Sequence, residues 1–259
     1  MPLTVKVICD LLGVPDEDWR SFRQWGEAAT ATMGAKVSRV AVRHAREAMW
    51  ALYDYFGRLI EHKRRAPADD LLSVMIAAGE GGDKLTDREL IANSILILLA
   101  GFETTVSLIG NGTVALLAHP DQLTRLASEP ELIPNGVEEL LRYDGPVQFT
   151  SRIPTEDVEL AGHVLAAGQE VGVMLGAANN DPFVFTDPRR LDVRRGNARH
   201  HLGLSGGGHY CLGAALARLE GAVAFGDLTR RFPGLQLAGR PRRRPTDLMR
   251  GYEHVWVRA

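Results

Sequence analysis

HHLGLSGGGHYCLGAALARLE, residues 200–220, sets a single cysteine between a glycine-rich run and an alanine- and leucine-rich helical segment. Five glycines fall at Gly203, Gly206, Gly207, Gly208 and Gly213, and Cys211 stands where the helix begins. Backbone N–H groups of such a loop, together with those of a helix amino terminus, stabilise negative charge. The setting therefore favours a thiolate over a thiol. Glycine also lets the backbone approach a flat ligand closely. Three other readings stay open on the residues alone. Cys211 could be a buried free thiol before a helix. His200, His201, His209 and Cys211 could hold zinc, although adjacent histidines and one cysteine do not match common zinc spacings. A dinucleotide loop is disfavoured because no acidic residue follows ~20 positions on.

Working outward, AGFETT at 100–105 lies in the middle of 87–118, the longest helical stretch. At 1.5 Å per residue, ~32 residues would span ~48 Å. Its middle, 95–101, is apolar on every face and is expected to be buried all round. Glu103 and Thr104 set an acid beside a hydroxyl in that apolar helix, where an unpartnered carboxylate is costly; a proton relay is the functional reading. Ala100 and Gly101 thin the helix wall beside them. EELLR at 138–142 puts Glu139 and Arg142 on one helix face, a pattern that alone reads as a surface ion pair. In FTDPRRLDVRR, 185–195, Arg190 could reach a buried carboxylate.

The rest of the chain divides by texture into a helix-rich part, 1–145, a strand and loop part, 146–210, and a helix with strands, 211–259. Helices are expected over 14–33, 38–65, 69–78, 87–118, from Pro120 onward, from Pro134 to before Gly145, and over 211–231. Thr86 and Glu89 form a capping-box pattern, and His119-Pro120 ends the long helix. Short strands are expected at 158–160, 163–165, 170–175, 235–237 and 255–257. Residues 178–210 lack a period, and a long irregular stretch in a compact domain is usually functional.

Composition is that of a globular protein, with 45% hydrophobic and 24% charged residues. No apolar run reaches the ~20 residues of a membrane helix, the opening shows no leader pattern, and two cysteines give no disulfide framework. A cytoplasmic protein without membrane attachment is expected. The net charge of −2 conceals an asymmetry: residues 189–259 hold 14 Arg against 5 Asp or Glu, a surplus of +9. That surplus suits an acidic partner protein, and no basic-aromatic platform for nucleic acid accompanies it.

Taken in order, these four segments resemble the cytochrome P450 family, the haem-thiolate monooxygenases, of the bacterial soluble type. The family's haem loop normally reads Phe-Gly-x-Gly-x-His-x-Cys-x-Gly; here it reads Leu204, Ser205, Gly206, Gly207, Gly208, His209, Tyr210, Cys211, Leu212 and Gly213. AGFETT resembles the oxygen-activating stretch of the central helix, and Glu139 with Arg142 the family's Glu-x-x-Arg pair. The resemblance implies a mainly α fold with small β-sheets and one domain over 1–259. Family members carry roughly a further third of chain before this opening, so an amino-terminally truncated body is expected.

The resemblance further implies haem b, iron protoporphyrin IX, with Cys211 as axial ligand to the iron. His209 and Arg152 would hold its propionates, and Gly207, Gly213, Leu204 and Ala100 would lie against it. Glu103 and Thr104 would be the catalytic pair. Glu139, Arg142 and Arg190 would form a structural triad. Val147, Phe149 and Thr150, with residues near Leu248 and Met249, would line the substrate pocket. The reaction implied is insertion of one oxygen atom of O2 into a small apolar molecule. Electrons would come from NAD(P)H through ferredoxin reductase and ferredoxin, the latter docking on the basic segment that includes Arg242–Arg244. A non-catalytic relative that scaffolds a partner enzyme is the alternative. Such relatives typically lack the cysteine present here. The departures are Leu204 for the usual Phe, Ser205 for a Gly, and Asn180 for an Arg. Ser205 is the consequential one if its backbone needs positive φ.

Overall fold

The computed structural model describes residues 3–32, 37–78, 85–246 and 248–259. Helices dominate: α1 (Leu3–Leu12), α2 (Trp19–Thr30), α3 (Arg39–Arg65), α4 (Leu71–Ala78), α5 (Asp87–Ala118), α6 (Pro120–Ser128), α7 (Ile133–Asp144), α8 (Leu175–Ala178) and α9 (Ala214–Arg231). The strands are short: β1 (Thr150–Arg152), β2 (Val158–Leu160), β3 (His163–Leu165), β4 (Val171–Val173), β5 (Gln236–Leu237), β6 (Arg242–Arg243), β7 (Tyr252–His254) and β8 (Val257–Arg258). They pair as antiparallel ribbons, β1 with β4, β2 with β3, β5 with β8 and β6 with β7. The chain forms two compact units, residues 1–106 and 107–259, and α5 contributes to both.

In the first unit, α1 to α4 and the first part of α5 surround a core that includes Val5, Leu12, Phe22, Leu52, Phe56, Leu72, Leu98 and Phe102. Phe22 meets Tyr55 edge-on at 4.7 Å between ring centroids, a favourable aromatic geometry. Lys63 and Asp70 form a buried ion pair beneath Gly13. Gly13 is required there twice over, since its φ is +66° and a Cβ would lie 2.3 Å from the Asp70 carboxylate. α1 falls on the opening residues, for which no helix was expected; its buried Val5, Ile8, Cys9 and Leu12 follow the helical spacing. The capping box forms as expected, with Thr86 N–H donating to Glu89 at 2.7 Å and Glu89 N–H donating to Thr86 Oγ1 at 3.3 Å.

The middle of α5 is not buried all round. Ile95 and Leu98 are buried, while Leu96 and Ala100, four residues apart on one face, are exposed. The helix packs one side of its 3.6-residue period and leaves the other uncovered. By length and composition α5 is apolar enough to cross a membrane, yet half of its most apolar window is buried inside the protein. The core helix of a soluble protein has the same character.

In the second unit, α6, α7, α9 and the last part of α5 enclose Leu108, Leu116, Leu126, Val137, Leu140, Val193 and Phe225. A Cβ at Gly112 would lie 2.4 Å from the Phe225 ring, so the glycine lets that ring seat against α5. The irregular stretch after β4 holds only α8 and 3-10 turns at Ala198–His200 and Gly207–His209. On α9, Glu220 is 5% exposed, and its Oε2 has no hydrogen-bond partner among the described residues. Burial pushes its carboxyl up to about 7. A raised carboxyl pKa means that the folded chain holds a proton the unfolded chain releases. Stability should therefore fall as pH rises from about 4.5 to about 7, by on the order of 2 kcal/mol. Glu220→Gln should flatten that part of a urea-midpoint profile against pH.

Candidate functional site

Glu139 and Arg142 lie one turn apart on α7, fully buried, and join through Arg142 Nε to Oε2 at 2.7 Å and Nη2 to Oε1 at 2.9 Å. Two desolvated charges tolerate this only when their remaining lone pairs and protons are met. Arg142 Nη1 donates to the carbonyls of Asn179 and Pro188 at 2.9 and 2.8 Å. Glu139 Oε1 accepts the Asp192 N–H at 3.0 Å. The second guanidinium on Glu139 is that of Arg195, whose Nε lies 3.1 Å from both carboxylate oxygens. This corrects the expectation for Arg190, whose side chain is exposed and which supplies its carbonyl to Arg142 and Arg195. Four arginines in residues 189–195 were candidates. Only Arg195 is buried, with its Nη1 capping the Thr186 carbonyl.

Glu138, the preceding residue on α7, serves a different segment. Its Oε1 accepts Arg218 Nε at 2.6 Å, and its Oε2 accepts Arg218 Nη2 at 3.2 Å and His201 Nε2 at 2.9 Å. His201 Nδ1 accepts the Gly203 N–H at 3.0 Å, which makes Nε2 the nitrogen that donates to Glu138. Burial pushes the Glu138 carboxyl up, but the bonds from His201 and Arg218 outweigh it and hold the group at about 2. Arg218 Nη1 also donates to the Tyr210 hydroxyl at 2.8 Å. This network was not anticipated from the sequence, where Glu138 reads as one more charge on a helix. It also engages one histidine of the zinc alternative. Among the described residues no three His, Cys, Asp or Glu side chains cluster for a metal.

The Glu138 network meets the cysteine loop at both of its ends. Cys211 N–H donates to the Leu204 carbonyl at 2.9 Å, closing the loop, and its carbonyl accepts the Ala214 N–H at 3.2 Å. The helix thus begins three residues after the cysteine rather than at it. Leu204 is buried, Cys211 half-buried, and His209 exposed on its 3-10 turn. A Cβ at Gly206, Gly207, Gly208 or Gly213 would meet nothing within 4 Å, and Leu212 is 92% exposed. The loop therefore offers bare backbone and a sulfur donor, which fit a planar ligand carrying a thiophilic metal. Ser205 has φ +61°, the left-handed conformation that favours glycine, and so carries the strain anticipated for this departure.

On β1, Arg152 is half-buried, and its Nη1 donates to Thr150 Oγ1 at 3.0 Å and to the Ser151 carbonyl at 2.7 Å. Val147 bridges Met249, which brings together the two segments expected near the substrate. Phe149 and Thr150 follow, each half-buried. On α5, Glu103 is buried and Thr104 half-buried, and Thr104 Oγ1 donates to the Ala100 carbonyl at 2.6 Å. Ala100 is exposed, but Gly101 faces α1: a Cβ there would lie 2.8 Å from Ile8 Cδ1. Gly101 is thus a packing residue. Within the basic segment, Arg243 pairs with Asp144 at 2.5 Å and stacks 4.2 Å from the Tyr252 ring, while Arg244 Nε binds the Tyr252 carbonyl. These two arginines hold the β6–β7 ribbon and are not free docking groups.

A family model described as Cytochrome P450 matches residues 5–248. The biotin biosynthesis cytochrome P450 of Bacillus subtilis is 40% identical over 237 residues, covering 92% of this chain and 60% of the relative. The 6-deoxyerythronolide B hydroxylase of Saccharopolyspora erythraea is 42% identical over 261 residues, covering 99% and 63%. The crystal structure of P450BioI in complex with hexadec-9Z-enoic acid ligated acyl carrier protein superposes with a TM-score of 0.93 at 39% identity, covering 99% of this chain and 66% of that one. The chain thus spans about three fifths of the length of these curated relatives.

Two substitutions test this geometry. Arg195→Ala removes one of the two guanidinium groups on a buried carboxylate and should lower stability by roughly 1.5–3 kcal/mol, whereas Arg190→Ala should change it by less than about 0.5 kcal/mol. Equal losses in denaturant titrations would restore Arg190 to the triad. Ser205→Gly should relieve the left-handed strain and stabilise the chain by about 1 kcal/mol. Ser205→Ala, which keeps the Cβ, should give no such gain in the same melts.

Proposed function

Because this chain belongs to the cytochrome P450 family, we propose that it forms the haem-binding body of a haem-thiolate monooxygenase that inserts one oxygen atom of O2 into a small apolar organic molecule. The observation that carries this reading is the closed, bare-backbone loop at Cys211, braced from two sides by α7. When bound, haem b supplies an iron centre whose chemistry with O2 is promoted by electron density from a thiolate ligand.

The chain's own residues do the rest. Cys211 provides the sulfur. Gly207 and Gly213 allow the backbone to approach the macrocycle, while Leu204 and Ala100 add apolar contact. His209, exposed, and Arg152, whose Nε and Nη2 make no bond among the described residues, hold carboxylates by charge-assisted hydrogen bonds. Thr104 gives its hydroxyl proton to the Ala100 carbonyl, which leaves the oxygen lone pairs as acceptors. Glu103 stands beside it as the proton-delivering acid. Glu139, Arg142 and Arg195 keep the irregular stretch in place. Val147, Phe149 and Thr150, with Met249 opposite Val147, contact the substrate.

Electrons come from NAD(P)H through a ferredoxin reductase and a ferredoxin. The docking face is assigned to exposed arginines such as Arg189, Arg190 and Arg199. For the substrate, the relatives point to acyl or polyketide-like molecules: one is named as a 6-deoxyerythronolide B hydroxylase, and another is bound to a fatty acyl carrier protein.

The test is the reduced, carbon-monoxide difference spectrum of the chain produced with haem supply. A Soret band at the thiolate-ligated position, lost in Cys211→Ser, is the expected result. Haem taken up equally by wild type and Cys211→Ser, without that band, would sink the reading.

A further inference from the structure

Glu138 grips both ends of the cysteine loop at once. On the upstream side it accepts from His201, which in turn accepts the Gly203 N–H. On the downstream side it holds both Nε and Nη2 of Arg218, whose Nη1 reaches the hydroxyl of Tyr210, the residue before Cys211. Between these anchors the loop is closed by Cys211 N–H to the Leu204 carbonyl and turned by Tyr210 N–H to the Gly207 carbonyl, and at its three consecutive glycines a side chain would meet nothing within 4 Å. Glycines restrain the backbone less than other residues do. The two-toothed fork on Arg218 is directional, which a point-charge pair is not.

We propose that Glu138, with Arg218 and His201, is a positioning set for Cys211 that both fixes the loop ends and neutralises the one guanidinium bonded to the residue next to the sulfur. The proposal rests on the reading of Cys211 as the thiolate ligand. It goes beyond the Glu139 brace, whose members bond Asn179 and residues 186–195 and, among the described residues, make no direct bond to residues 203–211.

The consequences separate by variant. Glu138→Gln loses the negative charge, keeps one acceptor oxygen and puts amide hydrogens in place of the other, where Arg218 and His201 offer only donors. The fork opens and the Arg218 cation stands uncompensated. A nearby positive charge favours the reduced state of the bound iron. The reduction equilibrium should therefore shift about tenfold toward reduced, ~59 mV for a one-electron couple. Arg218→Lys keeps the charge but not the fork, so loop order should suffer while the potential moves little. Tyr210→Phe removes one hydroxyl from a half-exposed ring and should leave the fold intact. It should give a smaller loss of thiolate-ligated haem with an unchanged potential.

The experiment is a redox titration with the reduced carbon-monoxide spectrum, run on haem-loaded wild type, Glu138→Gln, Arg218→Lys and Tyr210→Phe. It is paired with the iodoacetamide alkylation rate of Cys211 in the same chains without haem; Cys9 is buried and serves as internal control. A positive shift of the potential in Glu138→Gln alone, with faster alkylation of Cys211 in Glu138→Gln and Arg218→Lys, supports the proposal. A wild-type thiolate band with unchanged potential and alkylation in every variant overturns it and leaves the monooxygenase reading standing. A wild type that binds no haem through Cys211 overturns that reading instead, and the alkylation rates then decide whether the set orders the loop. If Glu138→Gln does not fold, the same alkylation comparison in Tyr210→Phe decides, with an unchanged rate counting against the proposal.

Discussion

Two neighbouring carboxylates on α7 face two different parts of the second unit, and each is buried only because arginine meets it. Glu139 takes Arg142 from its own helix and Arg195 from the irregular stretch. Glu138 takes Arg218 from α9 and His201 from the loop. A bare carboxylate in such surroundings is prohibitive, and an incompletely satisfied network is worse than an apolar core. Here the hydrogen-bonding capacity of Arg142 and Arg195 is absorbed by carbonyls of Thr186, Asp187, Pro188 and Arg190. Those carbonyls belong to chain with no ladder of its own to satisfy them. Residues without regular structure thus acquire a fixed shape from guanidinium groups that need acceptors.

The glycines divide into two kinds that explain how the unit is both tight and open. Gly112 admits the Phe225 ring, and Gly203 brings backbone against the Leu141 carbonyl, where a Cβ would lie 2.9 Å away. Gly206, Gly207, Gly208 and Gly213 admit nothing within the chain. Packing fixes where the loop starts and ends, and the lack of side chains at its consecutive glycines leaves backbone accessible on the cysteine's own segment. Strain at Ser205 sits in the same loop. Such strain persists only where the surroundings over-determine the conformation, and the Glu138 set holds both ends of this loop.

Much of this was legible in the residues. The stretch 87–118 is bounded by a capping box and a His-Pro pair, and α5 has those ends; α3 departs from its expected start by one residue. The position of Ser205 in a glycine pattern raised the question of positive φ, and its backbone adopts it. Other features were hidden for physical reasons. α1 is a ten-residue helix with neither an acidic first turn nor a basic last turn to mark it, and it is stabilised by burial against later segments. Arg195 and Arg190 are chemically identical, and only the fold decides which is turned inward. Glu138 sits beside Glu139 with nothing in the local pattern to show that its partners lie 63 and 80 residues away.

The most direct test of this division of labour is site-resolved amide hydrogen exchange in wild type, Glu138→Gln and Glu139→Gln. Glu138→Gln is predicted to speed exchange at Gly203 and Cys211 while Asp192 stays protected, and Glu139→Gln to speed exchange at Asp192 while Gly203 and Cys211 stay protected. Protection lost together at all three amides in either variant, or unchanged in both, would contradict the account that adjacent α7 carboxylates hold separate segments.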